Sequence, residues 1–460
     1  MIRVFSHYFH RRTLWHILID FGLIGLTIAG VVLANGERPS LVVPEAATGG
    51  LSLAACMFII NTASGFYQHA HNRSLNESCA RALVALLLAL PLAYGIFSLM
   101  PPAMTNGQNL KIAAMIGVAA IIAHRVYAAH SATQASIRSR ILIFGSGEAA
   151  QLVGNTIRVA DPHADVVGYV CGPNENNSAI PDSKLVSDGR SLTQTAIDLN
   201  VDEIVVALGE RRGGSMPLRE LLDCKLSGIR VVDIATYFEK TLGQIRIDYV
   251  KASWLIFGDG FNQGIFRTLA KRIFDVICAF VLIVLSAPAM LIAMIMVVSE
   301  SRGPALYRQT RVGLNGKHFN VMKFRSMRVD AEKDGTPQWA SLKDDRITKV
   351  GAVMRKFRID ELPQLFNVLK GEMSLVGPRP ERPFFVEQLT REIPYYAVRQ
   401  SVKPGVTGWA QVRYHYGSTV EDSQEKLQYD LYYVKNNTLF LDLVILFETI
   451  TVVLMGKGAR

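Results

Sequence analysis

Hydrophobic residues dominate four long stretches at the start of the chain. The stretches are Leu14–Leu33, Leu51–Tyr67, Ala82–Met100 and Ile112–Ala123. Each comes close to the roughly 20 residues that a helix needs to cross a bilayer. Soluble core helices are the alternative, but four such runs in succession exceed what a soluble domain needs. The pattern predicts a bundle of four transmembrane helices over residues 1–135.

Short apolar runs separated by helix-length stretches follow. The runs are Arg140–Phe144, Val166–Val170, Glu203–Ala207 and Ile229–Ile234. Strands that alternate with helices in this way form a parallel sheet, so we expect a Rossmann-like α/β domain over residues 136–250.

A glycine loop follows the first of these strands. Gly145 and Gly147 would let a dinucleotide phosphate approach the backbone. Ala150 stands where a third glycine is expected, and no acidic residue ends the second strand. These departures favour a structural or ligand-sensing domain over a working dehydrogenase.

Residues 251–272 read as a linker. Its Trp254–Phe257 segment suits either the membrane surface, where aromatic side chains settle, or packing between domains.

The stretch Ile273–Val298 is again long enough to cross a membrane. Basic residues flank it on both sides, which indicates that both ends lie on the cytoplasmic side. They are Lys271 and Arg272 before it and Arg302, Arg308 and Arg311 after it.

Proline breaks helical hydrogen bonding, and Pro288 lies near the middle of this stretch, just after Ser286. We therefore predict a re-entrant helix over 273–298 that turns near Ser286–Pro288, where the serine hydroxyl would satisfy a freed carbonyl. A fifth full span with a proline kink is the alternative. Asp275 would contact Lys271, Arg272 or lipid headgroups.

Residues 273–460 combine this helix with an α+β pattern. Two alternating runs surround Gly313–Gly316, which is typical of a β-hairpin. Alternation places Lys323 and Arg325 on one face of the hairpin, where both could contact one diphosphate.

Adjacent carboxylates at Asp360 and Glu361 provide the strongest candidate chemistry. One interpretation is purely structural: acidic residues are favoured at the start of a helix, and Pro363 indicates that a helix begins here. The functional one is phosphoryl transfer, in which an aspartate can be the nucleophile while cations neutralise the phosphate oxygens. Arg355 and Arg379 are candidate cations, and a Mg²⁺ ion held by the two acids would keep both ionised.

Composition supports a membrane location. The chain has 460 residues, half of them hydrophobic, with a formal net charge of +10. Arg and Lys concentrate on the loops that alternation assigns to the amino-terminal side, so the amino terminus and the domains after the four spans should be cytoplasmic. No nucleic-acid-binding pattern is found. The five cysteines are widely spaced, which argues against disulfides and zinc.

Five motifs occur in order in the carboxy-terminal part of the chain. They are Lys323–Met327, Asp345–Thr348, Asp360–Leu365, Met373–Pro380 and Lys403–Gln411. Together they closely resemble the monotopic bacterial polyprenyl-phosphate phosphoglycosyl transferases, over about residues 265–460.

The resemblance implies an enzyme of the bacterial inner membrane with its catalytic domain on the cytoplasmic face. Its substrates would be a UDP-sugar, glucose first and galactose second, and undecaprenyl phosphate, with Mg²⁺ and an aspartyl-phosphosugar intermediate at the first step of exopolysaccharide synthesis. Gln411, Arg413 and Asp430 would join Lys323, Arg325, Arg355 and Arg379 as substrate-binding residues. Arg413–His415 replaces the usual Gly-Arg of the family.

Several alternatives stay open at this point. Trp409 suits core or interface packing as well as a site, and Leu439–Met455 suits an interfacial helix or a buried docking helix. Glu361 would bind metal or assist the lipid phosphate. A homodimer through the middle domain is reasonable. The rival function is a non-catalytic membrane regulator that senses a nucleotide through Gly145 and Gly147.

Overall fold

The computed structural model describes most of the chain. The described residues are 2–4, 7–9, 11–34, 39–63, 75–98, 107–131, 139–160, 164–172, 175, 179–186, 190–208, 216–250, 260–261, 264–328, 346–414, 417 and 419–454. The predicted surface segment 254–257, Asp345, His415 and the basic tail lie outside them. The chain forms two compact units, one of residues 8–249 and one of residues 250–460 together with residues 2–7, and they are described separately.

Two short strands, β1 (Ile2–Val4) and β2 (His7–Phe9), come first in the chain, and residues 2–7 are grouped with the second unit. The first unit then has four long helices, α1 (Arg11–Ala34), α2 (Pro39–Ala63), α3 (Leu75–Ser98) and α4 (Gly107–Ser131). Each helix packs against its two neighbours in a ring. Alanines at helical spacing on α3 are buried in the centre, whereas many large apolar side chains, such as Trp15, Leu26 and Leu87, face outward. The helices are therefore apolar on both sides.

A parallel four-stranded sheet follows. Its elements are β3 (Ser139–Phe144), α5 (Glu148–Ala160), β4 (Ala164–Val170), α6 (Leu192–Asp198), β5 (Glu203–Val206), α7 (Leu218–Leu226), β6 (Arg230–Asp233) and α8 (Ile234–Leu242). Ile141 and Ile143 of β3 pack with α5 and α8, whereas Leu142 and Phe144 pack with α6 and α7. Helices thus cover both faces, and the predicted parallel sheet is confirmed.

The strand order is β4-β3-β5-β6. Counted within the domain this is 2-1-3-4, the order that begins a flavodoxin-like sheet. It differs from the six-stranded Rossmann order, which alternation along the sequence cannot distinguish.

The second unit is built on one exceptional helix, α9 (Ile265–Glu300), of 36 residues. Among the described residues, α9 is the one helix long and apolar enough to cross a membrane, and only 11% of its most apolar window is buried. Its neighbours are a β-hairpin and several short helices.

The hairpin pairs β7 (Leu306–Val312) with β8 (His318–Phe324) in antiparallel register and confirms the prediction. Beyond it lie α10 (Lys349–Lys356), α11 (Gln364–Lys370), β9 (Ser374–Val376), α12 (Pro383–Glu392), β10 (Gly405–Thr407), α13 (Trp409–Arg413), α14 (Val420–Asn436) and α15 (Leu439–Leu454). β9 and β10 pair in parallel.

Two of the open alternatives are settled by packing. Trp409 is 2% exposed and stacks on Tyr432 with ring centroids 5.9 Å apart, so it belongs to the core. Both acids of α15, Asp442 and Glu448, are buried and ion-paired, to Lys271 and Arg413. These partners identify α15 as a docked helix.

Candidate active site

The two adjacent carboxylates lie on a tight turn between α10 and α11. Arg358 begins the turn in the left-handed region, with φ 57°, and residues Ile359–Glu361 form one turn of 3₁₀ helix. Pro363 then precedes α11 without leaving an unsatisfied N–H. Asp360 and Glu361 are each 8% exposed, whereas acids that only stabilise the start of a helix are usually exposed to solvent.

Three cations converge on Glu361. Its Oε1 accepts hydrogen bonds from Lys323 Nζ at 3.1 Å and Arg379 Nη2 at 2.8 Å, and its Oε2 lies 3.5 Å from Arg358 Nη1. Although burial opposes ionisation, these cations hold the pKa of Glu361 well below its ordinary value. Glu361 is therefore an ionised anchor that brings residues from β8 and the loop after β9 to one point.

Asp360 has a different environment. No hydrogen bond or ion pair reaches its carboxylate from the described residues, and burial, followed by repulsion from Glu361, raises its pKa. Lys323, Arg379 and Arg355 oppose that rise. An uncommitted carboxylate facing cations has both the freedom and the surroundings that a nucleophile toward phosphorus needs.

Lys323 and Arg355 are two of the cations near Asp360. Lys323 lies near the end of β8, opposite Tyr307, and burial lowers the pKa of its ammonium group while Glu361 raises it. Arg355 is half-buried in the last turn of α10, and no hydrogen bond to its guanidinium is found in the described part of the chain. Its donors are thus available to a phosphate.

The turn that carries Arg379 is held by a very close backbone crossing. A Cβ at Gly405 would lie 2.1 Å from Gly377 N, and one at Gly408 would lie 2.2 Å from Gly377 O. Only glycine allows this approach, which brings the strand pair β9–β10 together directly beside Arg379.

Two arginines fix the backbone on either side of that turn. Arg399 Nη2 donates to the carbonyl of Arg379 at 2.9 Å, and Arg311 Nη1 donates to the carbonyl of Pro380 at 3.1 Å. Asp430, 2% exposed, pairs with Arg399 at 2.8 Å. The predicted substrate-binding residue Asp430 therefore acts through Arg399 on Arg379.

The sequence analysis does not place Arg311 or Arg399 in the site. Basic residues that flank an apolar stretch, such as Arg311, have a sufficient explanation in the positive-inside rule. An acid such as Asp430 indicates a basic partner, but no local spacing identifies Arg399, which lies 31 positions earlier.

No described contact joins Arg325 to the two acids. Its N–H donates to the carbonyl of Ala305 at 2.9 Å, so the β7–β8 pairing continues by one residue. Its buried guanidinium instead donates to the carbonyls of Ser301 and Arg302 at 2.6 and 3.2 Å. Arg325 caps the carboxyl end of α9.

Gln411 and Arg413 have partners away from the two acids. Gln411 Nε2 donates to the carbonyl of Val406 at 3.3 Å, and its Oε1 is buried without a hydrogen bond. Arg413 pairs with Glu448 at 2.6 Å and lies over the Trp409 ring at 4.3 Å. No described contact joins either residue to Asp360 or Glu361.

The structure differs from the predicted turn near Ser286–Pro288, because α9 stays helical through both residues. Pro288 removes the N–H that would bond the carbonyl of Val284. The hydroxyl of Ser286 donates to the carbonyl of Leu282 at 2.6 Å, so it does not satisfy that freed group.

The glycine loop of the first unit is filled by its own chain. A Cβ at Gly145 would lie 2.4 Å from the carbonyl oxygen of Ala207, and Gly145 has φ +137°. The Ser146 N–H, however, donates to Glu175 Oε2 at 2.6 Å, and the Gly172 N–H donates to the same oxygen at 3.1 Å. A carboxylate thus lies beside Ser146 and Gly147, where a dinucleotide phosphate would bind, which disfavours nucleotide sensing through this loop.

The donor chemistry of the two acids suits Mg²⁺. This ion is often held by one or two carboxylates together with substrate phosphates. Asp360 offers uncommitted oxygens, and in the described ranges Glu361 Oε2 has only the long contact to Arg358. No group of three or more His, Cys, Asp or Glu side chains that could hold a metal occurs among the described residues, so substrate oxygens would complete the shell.

The carboxy-terminal part of the chain matches known proteins. Residues 266–456 match the family model described as bacterial sugar transferase. The chain is 44% identical over 242 residues to UDP-N-acetylgalactosamine-undecaprenyl-phosphate N-acetylgalactosaminephosphotransferase of Aeromonas hydrophila, which covers 53% of this chain and 56% of that protein.

It is also 44% identical over 193 residues to UDP-glucose:undecaprenyl-phosphate glucose-1-phosphate transferase of Caulobacter vibrioides, with 42% and 72% of the two chains covered. An undecaprenyl-phosphate galactose phosphotransferase of Salmonella typhimurium is 41% identical over 203 residues, with 41% of each chain covered. The chain thus matches little more than half the length of the Aeromonas relative but most of the Caulobacter one. The protein belongs to the bacterial sugar transferase family.

Proposed function

We propose that this protein transfers a sugar 1-phosphate from a UDP-sugar to undecaprenyl phosphate and releases UMP. The observation that carries the proposal is the division of labour between the two acids. Glu361 holds Lys323 and Arg379 in place, whereas Asp360 is left uncommitted among the cations. The names of the relatives supply the substrate class.

The reaction follows from this arrangement in two displacements. An oxygen of Asp360 attacks the sugar-bearing phosphorus, the bond from that phosphorus to the bridging oxygen breaks, and UMP leaves. An oxygen of the lipid phosphate then attacks the same phosphorus, and the bond to Asp360 breaks. One anhydride replaces another, so little driving force is needed.

Charge neutralisation is the task of the surrounding side chains. Lys323, Arg355 and Arg379 face the region of Asp360 and would pair with the diphosphate oxygens. Bound Mg²⁺, held by Asp360 and Glu361, would supply further positive charge to the same oxygens. Arg399 and Arg311 keep Arg379 in position.

The contacts at both ends of α9 support a helix that enters and leaves the membrane on one side. Near its start, Arg272 donates to the carbonyls of Val368 and Leu369 at 2.6 and 2.7 Å. At its end, Glu300 accepts the N–H groups of Lys349 and Val350 at 2.8 and 2.9 Å. A straight helix between these contacts would be about 40 Å long, so a full crossing would place its two ends on opposite sides of the about 30 Å hydrocarbon core. Both ends contact the same domain, which disfavours a full crossing.

The burial pattern of α9 agrees with this placement. From Ala279 onward its less exposed positions form one stripe at helical spacing, Ala279, Ile283, Ser286, Met290, Ala293 and Val297. The buried members lie toward the two ends, and Pro288 is exposed on the opposite face. Because a proline ring pushes against the preceding turn on its own side, any bend closes toward the stripe. Both ends would then face the same domain.

The same placement extends to the rest of the chain. We propose that α1–α4 cross the bacterial inner membrane and that the α/β domain and the catalytic domain lie on its cytoplasmic face, where UDP-sugars are found. The outward apolar side chains of α1 and α3 support a lipid environment. The predicted boundaries 1–135, 136–250, 251–272 and 273–460 and a homodimer stay part of this proposal.

The sugar is proposed as glucose, with galactose second. The names of the relatives include glucose, galactose and N-acetylgalactosamine, so all three belong in the test. The purified full-length protein would be supplied with Mg²⁺, undecaprenyl phosphate and each UDP-sugar in turn, and UMP would be measured. UMP release that depends on undecaprenyl phosphate supports the function. Release from none of the UDP-sugars contradicts it.

The acid side of the pH profile should report Asp360. The nucleophile must be ionised, and burial together with Glu361 raises its pKa above the ordinary value of 3.8. We therefore expect kcat/KM, measured at subsaturating Mg²⁺ so that the metal-free enzyme predominates, to fall as the pH drops through this raised pKa, nearer neutrality than for an exposed aspartate. Glu361 titrates too low to cause that limb. A kcat/KM that is flat down to pH 4 would contradict this assignment.

A further inference from the structure

Two basic side chains meet beside the first turns of α9. A Cβ built at Gly371 would lie 3.4 Å from Arg272 Nη2 and 3.6 Å from Lys403 Nζ. Both nitrogens therefore border one small space, which the missing side chain of Gly371 leaves open. Gly371 has φ +85°, so other residues are strained there.

Local structure explains the position of Arg272 but not that of Lys403. Arg272 caps the carboxyl end of α11 through the carbonyls of Val368 and Leu369 and retains further N–H donors. No acceptor for the Lys403 ammonium is found among the described residues. Burial, followed by repulsion from Arg272, lowers the pKa of Lys403.

The neighbouring acids make their hydrogen bonds elsewhere. Asp275 attracts Lys403 electrostatically, but its Oδ1 accepts the N–H of Leu375 at 3.2 Å, and Asp442 accepts hydrogen bonds from Lys271 and Tyr433 at 2.8 and 2.7 Å. Two half-buried cations without an anion between them are costly, and a phosphate that accepts hydrogen bonds from both would remove that cost.

The location indicates where such a phosphate comes from. Apart from the buried Asp275, the residues that follow Arg272 are apolar, and Ile273 and Ile277 are 52% and 57% exposed. The two cations thus lie at the boundary between the polar start of α9 and its apolar surface, the level of lipid headgroups.

This space also adjoins the Arg379 turn. Ser374 N donates to the carbonyl of Pro404 at 2.8 Å, and a Cβ at Gly377 would lie 2.3 Å from the carbonyl oxygen of Lys403. The backbone that carries Lys403 is therefore in contact with the backbone that leads to Arg379.

We propose that Arg272 and Lys403 bind the phosphate of a membrane lipid at the point where α9 meets the membrane. The proposal rests on the proposed membrane placement of α9. The phosphate belongs either to the acceptor, undecaprenyl phosphate, or to an anionic phospholipid that anchors the helix. The two sources give different results in the experiment below.

The test compares Lys403→Gln with Lys403→Arg, which keeps the charge, and with Lys317→Gln, an exposed lysine of the hairpin. Full-length proteins are purified in detergent and checked by thermal melting. One arm measures KM for undecaprenyl phosphate and KM for the UDP-sugar. The other measures retention of phosphatidylglycerol against phosphatidylcholine by native mass spectrometry, which needs no catalysis.

For an acceptor site, Lys403→Gln should raise KM for undecaprenyl phosphate about tenfold or more, the loss of one charged hydrogen bond, with KM for the UDP-sugar unchanged. For an anchoring site, it should lower phosphatidylglycerol retention by a similar factor instead. Lys403→Arg should restore either value. The proposal is overturned if Lys403→Gln matches Lys317→Gln in both arms. A wild-type protein that retains phosphatidylglycerol but releases no UMP would contradict the proposed function alone.

Discussion

Replacing Asp360 by Asn should reduce UMP release by roughly 10⁴-fold or more, the scale seen when a covalent nucleophile is removed. The amide keeps the size of the side chain but cannot form the acyl phosphate. Because no hydrogen bond or ion pair of the described residues involves this carboxylate, the folded structure should be nearly unaffected. The wild-type protein, quenched during turnover with a radiolabelled UDP-sugar, should carry the label, and Asp360→Asn should not.

Glu361→Gln serves as the matched comparison for this prediction. It removes the charge that Lys323 and Arg379 contact and leaves the nucleophile in place. Label on the protein should therefore persist at a reduced rate. Full UMP release by Asp360→Asn, with equal melting temperatures, would show that Asp360 does not attack phosphorus.

Replacing Asp430 by Ala should cost about 3–5 kcal/mol of the free energy of unfolding, since it leaves a buried guanidinium without its anion. Arg399 is only 10% exposed and donates to Asp430, Tyr396 and the carbonyl of Arg379. Denaturant unfolding of the detergent-solubilised protein, followed by tryptophan fluorescence, would measure the loss.

The surface pair Arg391–Glu387 provides the control for this second prediction. Both side chains are largely exposed, so Glu387→Ala should change stability by less than about 1 kcal/mol. Asp430→Ala should also weaken UDP-sugar binding. Without Asp430, Arg399 is no longer held in position to donate to the carbonyl of Arg379. An Asp430→Ala protein as stable and as tightly binding as Glu387→Ala would contradict the proposed role of the buried pair.

The sequence predicts those features whose causes are local. Lys323, Asp360, Glu361 and Arg379 lie in dense motifs, and the structure brings all four together. The hairpin and the alternating α/β order follow from residue spacing, and packing confirms them.

What the sequence could not predict depends on partners that are distant along the chain. Arg325 follows Lys323 by two positions on the hairpin, yet its guanidinium donates to the carbonyls of Ser301 and Arg302, which alternation cannot reveal. Glu175 lies 29 residues after Ser146 and occupies the glycine loop, and the sequence of the loop does not predict this contact. Alternation predicts a parallel sheet but does not determine its strand order.

The two arginines that hold the carbonyls of Arg379 and Pro380 have a thermodynamic consequence. A cationic turn that is ordered before substrate arrives loses little conformational entropy on binding, where a flexible one would lose roughly 0.5–1.5 kcal/mol for each immobilised side chain. The diphosphate thus meets a preorganised guanidinium. More of the binding free energy then remains for stabilising the displacement at phosphorus.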